Sequence, residues 1–426
     1  MAKSDLCWMP QNLMRALDRK YGAKQHAQSA RQWWKKFESF LKSIGFENCK
    51  AEPCLFKKVD KDGTVYFCLY VDDALMIGDR AAIDKAKGQI KQEFVIKELG
   101  ELEEYIGCEV TKTDAGYDLS QKDIIKKLEV NFGSDVKSMM KYNSPMTGRV
   151  VRPDEEAPKL PDGKQSRYRS GVGMLLYLVK HSRPDLSNSV RELAKVMDGA
   201  TEAHWKDMMR AIKYVIDTKE FCLLLKEDDT KAGLIEAFCD SDFAGDTDTR
   251  RSVTGYVVHY NGIMVAWKSR AQKVVSLSSS EAEYYAISEC VTEMLYTKQV
   301  IEFMGLPIQL PMKLKVDNMG AIYLANNAFT EQRTKHIDCR VHFVRDLIQN
   351  VPPILSVDFV KSEDNKADSF TKNLNGATYM KHIKWYMSNT DAFDDETDEK
   401  GTEKDGKGTE PQREDVEDPL RELKRV

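Results

Sequence analysis

Residues 234–242 read Leu-Ile-Glu-Ala-Phe-Cys-Asp-Ser-Asp, and the parsing of the whole chain turns on them. Leu234–Cys239 is a short, mostly apolar run ended abruptly by acids, which predicts a buried strand. Asp240 then stands at the end of that strand, and Asp242 shares its face by the period of two if the strand continues. Working outward, further strands are expected at Thr254–Tyr260, Ile263–Trp267, Lys313–Val316 and Leu355–Val360. Helices are expected at Ser279–Met304, Gly320–Ala325, Val341–Gln349 and Asn365–Thr371. A strand meander followed by strands alternating with helices predicts an α/β domain, a mixed sheet with helices on its faces.

Upstream, Tyr177, Leu178, Leu193, Val196, Met197, Trp205, Met208, Ile212, Val215 and Ile216 recur at roughly helical spacing, so Tyr168 to Leu225 is expected to be largely helical. Pro145–Gln165, with repeated Pro and Gly, reads as a long loop or linker. Nearer the start lie a helix-like stretch, Arg31–Ile44, and a hairpin-like stretch, Val65–Ile77. The expected segments are therefore 1–141, 142–232, 233–386 and 387–426. The last is rich in Asp, Glu, Lys, Gly and Thr and nearly empty of apolar residues. Such a segment buries too little to offset its ordering entropy and is expected to be a disordered tail.

A length of 426 residues accommodates two or three domains. The hydrophobic fraction of 42% allows sizeable cores. No apolar run approaches the ~20 residues of a membrane span, and Met1–Pro10 lacks the apolar centre of a signal peptide. The 9 cysteines are scattered without a C-x-x-C pair, which points to reduced thiols and an intracellular protein, cytoplasmic or nuclear, with no membrane partner. The net charge of −4 is unevenly spread: Asp391–Val426 carries 14 acidic against 7 basic residues, so the remainder is +3. That weakly basic balance permits nucleic-acid binding without demonstrating it.

The chemistry lies in four acids on four separate elements. Asp240 ends one strand, and Asp317 ends another after Leu314-Lys-Val316. Glu283 sits near the start of the long helix opened by Ser278-Ser-Ser280, and Asp368 lies in a short helix between Ala367 and Phe370. Converging, they would repel one another unless divalent cations neutralised them, and such oxygen ligands suit Mg2+ or Mn2+. Each acid also has a plainer role. Asp317-Asn318 can end a strand and cap the next helix. Ser278-x-x-Glu281 fits a capping box, which absorbs Glu281 and leaves Glu283 free. Asp240 can be a solvated edge residue and Asp368 a helix-surface acid. Singly the plain roles are commoner; together, in this order, a shared site is the better reading. His336 and His342, with Cys339 between them, match no zinc spacing and have no fourth ligand near.

Several motifs then give the chain a resemblance. Phe238-Cys-Asp-Ser-Asp-Phe-Ala-Gly-Asp246, Arg250-Arg-Ser-Val-Thr-Gly-Tyr256, Ser278-Ser-Ser-Glu-Ala-Glu-Tyr-Tyr-Ala286, Val316-Asp-Asn318, Arg333-Thr-Lys-His-Ile337 and Lys366-Ala-Asp368 resemble copia-type ribonuclease H domains in order and approximate spacing. The match runs from about Leu234 to Leu374. It implies the ribonuclease H-like mixed sheet, with Asp240, Glu283, Asp317 and Asp368 as metal-binding catalytic carboxylates. It also implies two Mg2+ ions, with Mn2+ as a substitute, and cleavage of the RNA strand of RNA–DNA hybrids. Lys268, Arg270, Lys273, Arg333 and Lys335 are the expected contacts to the nucleic-acid backbone. The loop Lys361-Ser-Glu-Asp-Asn-Lys366 lacks the histidine of many cellular ribonucleases H, which removes a proton-transfer aid.

Tyr70-Val-Asp-Asp73, between apolar flanks, resembles the hairpin on which reverse transcriptases present metal ligands. Ala30–Phe37, Ser43–Phe46 and Pro53–Phe56 resemble the stretch upstream of that motif in copia-type polymerases. Tyr105-Ile-Gly107, Leu119-Ser-Gln121, Tyr168-Arg-Ser170, Leu175-Leu-Tyr177, Arg183-Pro-Asp185 and Thr201-Glu-Ala-His-Trp205 resemble the stretch downstream of it. The resemblance implies a partial palm and a helical thumb or connection region, in the C-terminal end of a copia-type retrotransposon Pol polyprotein. The family's polymerase needs a third Asp on an upstream strand, together with the fingers. Residues 1–60 offer no apolar strand with such an Asp, since Asp5 and Asp18 lie in polar, helix-like surroundings. Ala23–Ala27 also lacks the usual Gly-Leu-Lys-Gln, pointing to decay or a misjoined start. Asp72 and Asp73 are therefore expected to be vestigial and the polymerase inactive. The expected function is hybrid cleavage by the ribonuclease H domain, with a complete reverse transcriptase subunit as a further partner. The alternative is an inert relic that binds nucleic acid or a partner without cutting.

Overall fold

The computed structural model describes residues 3–8, 26–70, 73–114, 116–148, 150–327 and 338–390. The first sheet comprises β1 (Lys3–Trp8), β2 (Glu47–Asn48), β3 (Leu55–Asp60), β4 (Gly63–Tyr70), β5 (Asp73–Gly78) and β6 (Lys97–Glu101), in the order β2-β3-β4-β5-β1-β6. In β4, Val65, Phe67 and Leu69 are buried while their neighbours are not, the alternation of a half-buried strand. Helices α1 (His26–Ser43) and α2 (Arg80–Glu93) lay Phe37, Leu41, Ile83, Ala86 and Ile90 onto that face. Burying each large side chain contributes about 1.5–3 kcal/mol. The expected hairpin forms, with Tyr70 paired to Asp73; Val71 and Asp72 lie outside the described residues.

One expectation is overturned here. Lys3–Trp8 is not in helix-like surroundings but forms a strand between β5 and β6. Its local composition is a weak guide because pairing to two neighbours, not propensity, makes it a strand. The register sets Trp8 opposite Asp73 and Asp5 opposite Met76. Asp18 lies outside the described residues.

Next come β7 (Glu104–Tyr105), β8 (Cys108–Thr113), β9 (Gly116–Ser120), α3 (Lys122–Val136), α4 (Asp162–His181), α5 (Ser187–Ala194), α6 (Glu202–Asp217) and β10 (Cys222–Leu225). The periodic apolar residues of the helical region pack as expected, with Leu178, Leu193, Met208, Ile212 and Val215 fully buried. At the turn after α4, the buried Arg183 guanidinium bonds both oxygens of Asp185, at 2.9 and 2.7 Å, and Tyr214 donates to the same carboxylate at 3.2 Å.

The third sheet holds β11 (Leu234–Asp242), β12 (Val253–Tyr260), β13 (Ile263–Ala271), β14 (Gln309–Val316) and β15 (Leu355–Phe359), in the order β13-β12-β11-β14-β15. The first three pair antiparallel, and β14 and β15 add parallel to β11. Ile235, Ala237, Cys239, Val258, Leu314 and Val316 face Tyr284, Ile287, Val291 and Met294 of α7 (Ser279–Met304). Helices α8 (Met319–Asn326) and α9 (Asp338–Gln349) complete this layer. The helix expected at Asn365–Thr371 is only a 3-10 turn, Asp368–Phe370. Asn365 competes with helix formation there: its amide donates to the Cys239 carbonyl at 3.0 Å and its oxygen accepts from Ala367 N–H at 3.1 Å. After α10 (Gly376–Ile383), β16 (Met387–Ser388) pairs with β10 in the sheet β16-β10-β9-β8-β7. Met387 and Thr390 are buried, so the fold continues past 386, where the tail was expected to begin. Residues 391–426 lie outside the described residues. No described helix is long and apolar enough to cross a membrane.

Candidate metal-binding carboxylate site

Because β11 and β14 are parallel neighbours, both end on the same edge of the sheet. Asp240 lies near the end of β11, 2% exposed, and Asp317 emerges directly after β14. The start of α7 meets this edge. Ser278 Oγ accepts from Glu281 N–H at 3.2 Å and the Glu281 carboxylate accepts from Leu277 N–H at 2.8 Å. That cap occupies Glu281, as expected, and leaves Glu283 turned toward β11, where its Oε1 accepts from Ser241 N–H at 3.2 Å. Asn318, not Asp317, caps α8, accepting from Ala321 N–H at 2.9 Å. Asp240, Glu283 and Asp317 thus each offer an oxygen, all within 4.8 Å of one another.

Two glycines permit the approach. A Cβ on Gly320 would lie 2.5 Å from Ser280 Oγ, so glycine lets that hydroxyl keep its place where the starts of α7 and α8 come together. Gly255 pairs with Asp240 across β11 and β12, and a Cβ there would meet Thr371 Cγ2 at 2.7 Å and Phe370 Cβ at 2.9 Å. The bare backbone of Gly255 is what allows the Asp368 turn to lie on the sheet beside Asp240.

Asp368 is not part of that trio. It reaches it through Lys372, whose ammonium lies 2.6 Å from Asp368 and 3.4 Å from Asp240. The Thr371 hydroxyl also donates to Asp240 Oδ2. Neither Thr371 nor Lys372 was singled out from the sequence, although the i,i+4 spacing of Asp368 and Lys372 is a readable ion-pair signal.

Burial pushes the Asp240 carboxyl above its ordinary range, opposed by Lys372 and Thr371 and reinforced by Asp368 and Asp317. Burial, then repulsion from Asp240 and Asp317, pushes Glu283 up to about 9. Glu283 Oε2 is buried and has no hydrogen-bond partner. Hard carboxylate oxygens, crowded, with one of them unsatisfied, fit a hard divalent cation. Cys339 and His342 join no comparable cluster among the described residues, and His336 lies outside them.

Of the expected backbone contacts, Lys268 and Lys273 are exposed and Arg270 is half-buried. The register lines Arg270 up through Thr254 to Ser241, next to Asp240. Arg333 and Lys335 lie outside the described residues, as does Asp72. Asp73 heads β5 beside a cavity of about 280 Å3 lined also by Glu101, Glu103, Glu104 and Tyr105.

The chain thus sets a hairpin headed by Asp73 upstream of a mixed sheet that carries a carboxylate trio. The family model described as reverse transcriptase (RNA-dependent DNA polymerase) matches residues 10–143. The chain is 32% identical over 360 residues to the retrovirus-related Pol polyprotein from transposon TNT 1-94 of Nicotiana tabacum, covering 83% of this chain and 26% of that protein. It is 31% identical over 364 residues to the corresponding polyprotein from transposon RE2 of Arabidopsis thaliana, covering 84% and 24%. Over most of its length the chain is thus similar to copia-type retrotransposon Pol polyproteins, at 31–32% identity. It spans about a quarter of the length of these relatives. Among solved structures, LC11-RNase H1 in complex with an RNA/DNA hybrid is 15% identical, matching 32% of this chain and 92% of that one with a TM-score of 0.25.

Proposed function

We propose that this chain cleaves the RNA strand of RNA–DNA hybrids in a divalent-metal-dependent reaction, with Asp240, Glu283, Asp317 and Asp368 as the metal-binding catalytic carboxylates. The observation that carries this reading is the buried, unpartnered Oε2 of Glu283 inside a trio of acids whose oxygens lie within 4.8 Å. Like charges so placed drive one another's pKa upward, and a shared cation is what relieves that strain. The donor set suits Mg2+, with Mn2+ as a substitute. Two such ions, when bound, would activate water and stabilise the leaving 3′ oxygen. The protein's own part is to hold the oxygens: Ser241 N–H fixes Glu283 and Thr371 orients Asp240, while Lys372 pairs with Asp240 and Asp368 until a cation takes its place. Lys268, Arg270, Lys273, Arg333 and Lys335 would hold the phosphate backbone, and RNA would be selected through its 2′-hydroxyls in the minor groove.

In this reading residues 1–141 are a partial palm, 142–232 a helical thumb or connection and 233–386 the ribonuclease H-like domain, with the acidic tail starting at 391, after the folded residues 387–390. The palm does not transfer nucleotides. Trp8, not an acid, stands opposite Asp73, and Glu101, Glu103 and Glu104 in the adjoining cavity would repel a triphosphate. A complete reverse transcriptase subunit would have to supply that activity.

The test is to incubate the purified chain with a labelled hybrid and Mg2+. Hybrid should be cut and duplex DNA spared, and Asp317→Asn should abolish cutting with an unchanged circular dichroism spectrum. A folded protein that cuts nothing in Mg2+ or Mn2+ would leave the alternative, an inert nucleic-acid or partner-binding relic.

A further inference from the structure

We propose that Gln272 is a positioning residue for the carboxylate site: its side-chain amide sets the placement of Glu283 against Asp240, and through it the affinity of the site for a divalent cation. The proposal rests on reading the trio as a metal site.

Gln272 follows β13 directly and is 2% exposed. Its side-chain hydrogen bonds go to neighbours of the acids and not to the acids themselves. Its Nε2 donates to the Ala282 carbonyl at 2.9 Å and Thr254 Oγ1 at 3.1 Å, with Ser241 Oγ at 3.4 Å. Its Oε1 accepts from Ser276 Oγ at 3.1 Å, and its backbone N–H donates to the Ser252 carbonyl at 2.8 Å. One amide therefore joins β11, β12, the loop entering α7 and the first turn of α7.

Two of its partners adjoin the acids. Ser241 follows Asp240, and Ala282 precedes Glu283. The same Ser241 holds Glu283 Oε1 through its N–H. The gap between the strand that carries Asp240 and the helix that carries Glu283 is thus spanned by the Gln272 side chain. An apolar residue could fill that space, and burying an amide is unfavourable unless its groups are bonded. Here its oxygen and its nitrogen are both used, and a fully bonded buried polar group fixes one geometry where an apolar contact tolerates several. Groups that orient metal ligands typically change metal affinity or activity by about 10–100-fold when removed.

The experiment measures Mn2+ binding to the full chain by titration calorimetry, alongside the hybrid KM at saturating metal. Gln272→Leu should weaken Mn2+ binding by roughly 10–100-fold and raise the Mg2+ concentration for half-maximal cleavage in parallel, with the hybrid KM little changed. Ser276→Ala, which spares both amide donors, should bind Mn2+ nearly as wild type does. Should Gln272→Leu fail to fold, Thr254→Val removes one acceptor at nearly constant shape and should weaken Mn2+ binding in the same direction. Wild-type Mn2+ affinity in folded Gln272→Leu, or in Thr254→Val where only that variant folds, overturns the proposal. A wild-type chain that binds no Mn2+ at all sinks the metal-site reading, and the role of Gln272 with it.

Discussion

Glu283 accepts a hydrogen bond at 3.2 Å from the backbone N–H of Ser241, the residue directly after Asp240. That bond satisfies one carboxylate oxygen and leaves the other buried without a partner. With its pKa pushed up to about 9 by burial and by Asp240 and Asp317, Glu283 holds its proton at neutral pH when no cation is bound. A cation must displace that proton in order to bind.

Metal-free stability should therefore fall with rising pH. The folded pKa of Glu283, about 9, lies above its unfolded value of 4.5. Its stabilising contribution is fully present below 4.5 and is lost as pH rises toward 9. In Mg2+-free buffer the wild-type Tm should drop across that window. Glu283→Gln cannot ionise, so it should flatten the decline and melt higher than wild type at the alkaline end. Parallel melting curves for the two proteins, pH by pH, would refute this.

Gly255→Ala tests the approach of the Asp368 turn. The new methyl would collide with Phe370 Cβ and Thr371 Cγ2, which back onto the sheet and cannot swing away freely. Overpacking of this kind costs about 1–3 kcal/mol, and relief would lift the turn off Asp240. Hybrid cleavage should fall by more than the loss of folded protein explains. Gly173→Ala is the control, since nothing lies within 4 Å of a Cβ there and helix propensity favours alanine. Equal activity in the two variants, compared below both melting temperatures, would show that the turn's position is not needed.

These cases show what was legible in the sequence. The limits of α7 could be read from Ser278 and the apolar spacing after it, and Asp240 and Asp317 from apolar runs ended by acids. Thr371 on Asp240 could not, because the two are brought together across 131 residues by tertiary packing alone. Gln272 carries no local signal either, as its partners come from separate strands and a helix. Gly255 reads as a weakness in a strand until the turn that lies on it is known. β1 was missed for a related reason: Lys3–Trp8 is a strand because β5 and β6 flank it, which no local pattern announces.

Residues 1–141 should not extend a primer. Polymerase chemistry needs a third carboxylate near the hairpin acids, and the register puts Asp5 opposite Met76, three residues along β1 from the partner of Asp73. Neither Mg2+ nor Mn2+ should yield incorporation on a primed template, and Asp73→Asn should leave hybrid cleavage as it was. Nucleotide incorporation that disappears in Asp73→Asn would contradict this account.

Lys372 supplies the last and most discriminating prediction. Desolvation works against its ammonium, but Asp240 and Asp368 outweigh it and raise its pKa, so it stays charged. Without a divalent ion it is the cation that the acids see; with one, it competes for the same oxygens. Removing it should therefore act in opposite directions on stability and on metal binding. Lys372→Met leaves the buried Asp240 without its counter-charge, so the metal-free Tm should fall, more at pH 8 than at pH 5, because protonation of Asp240 relieves the loss in acid. The side chain of Lys372 is 43% exposed, so its ion pairs are screened and the pairing is worth ~1 kcal/mol at most. Mn2+ affinity should rise by up to about fivefold, the equivalent of that energy, and saturating Mn2+ should restore most of the lost Tm. Weaker Mn2+ binding in Lys372→Met would mean that the lysine holds the acids in place for the ion and does not compete with it.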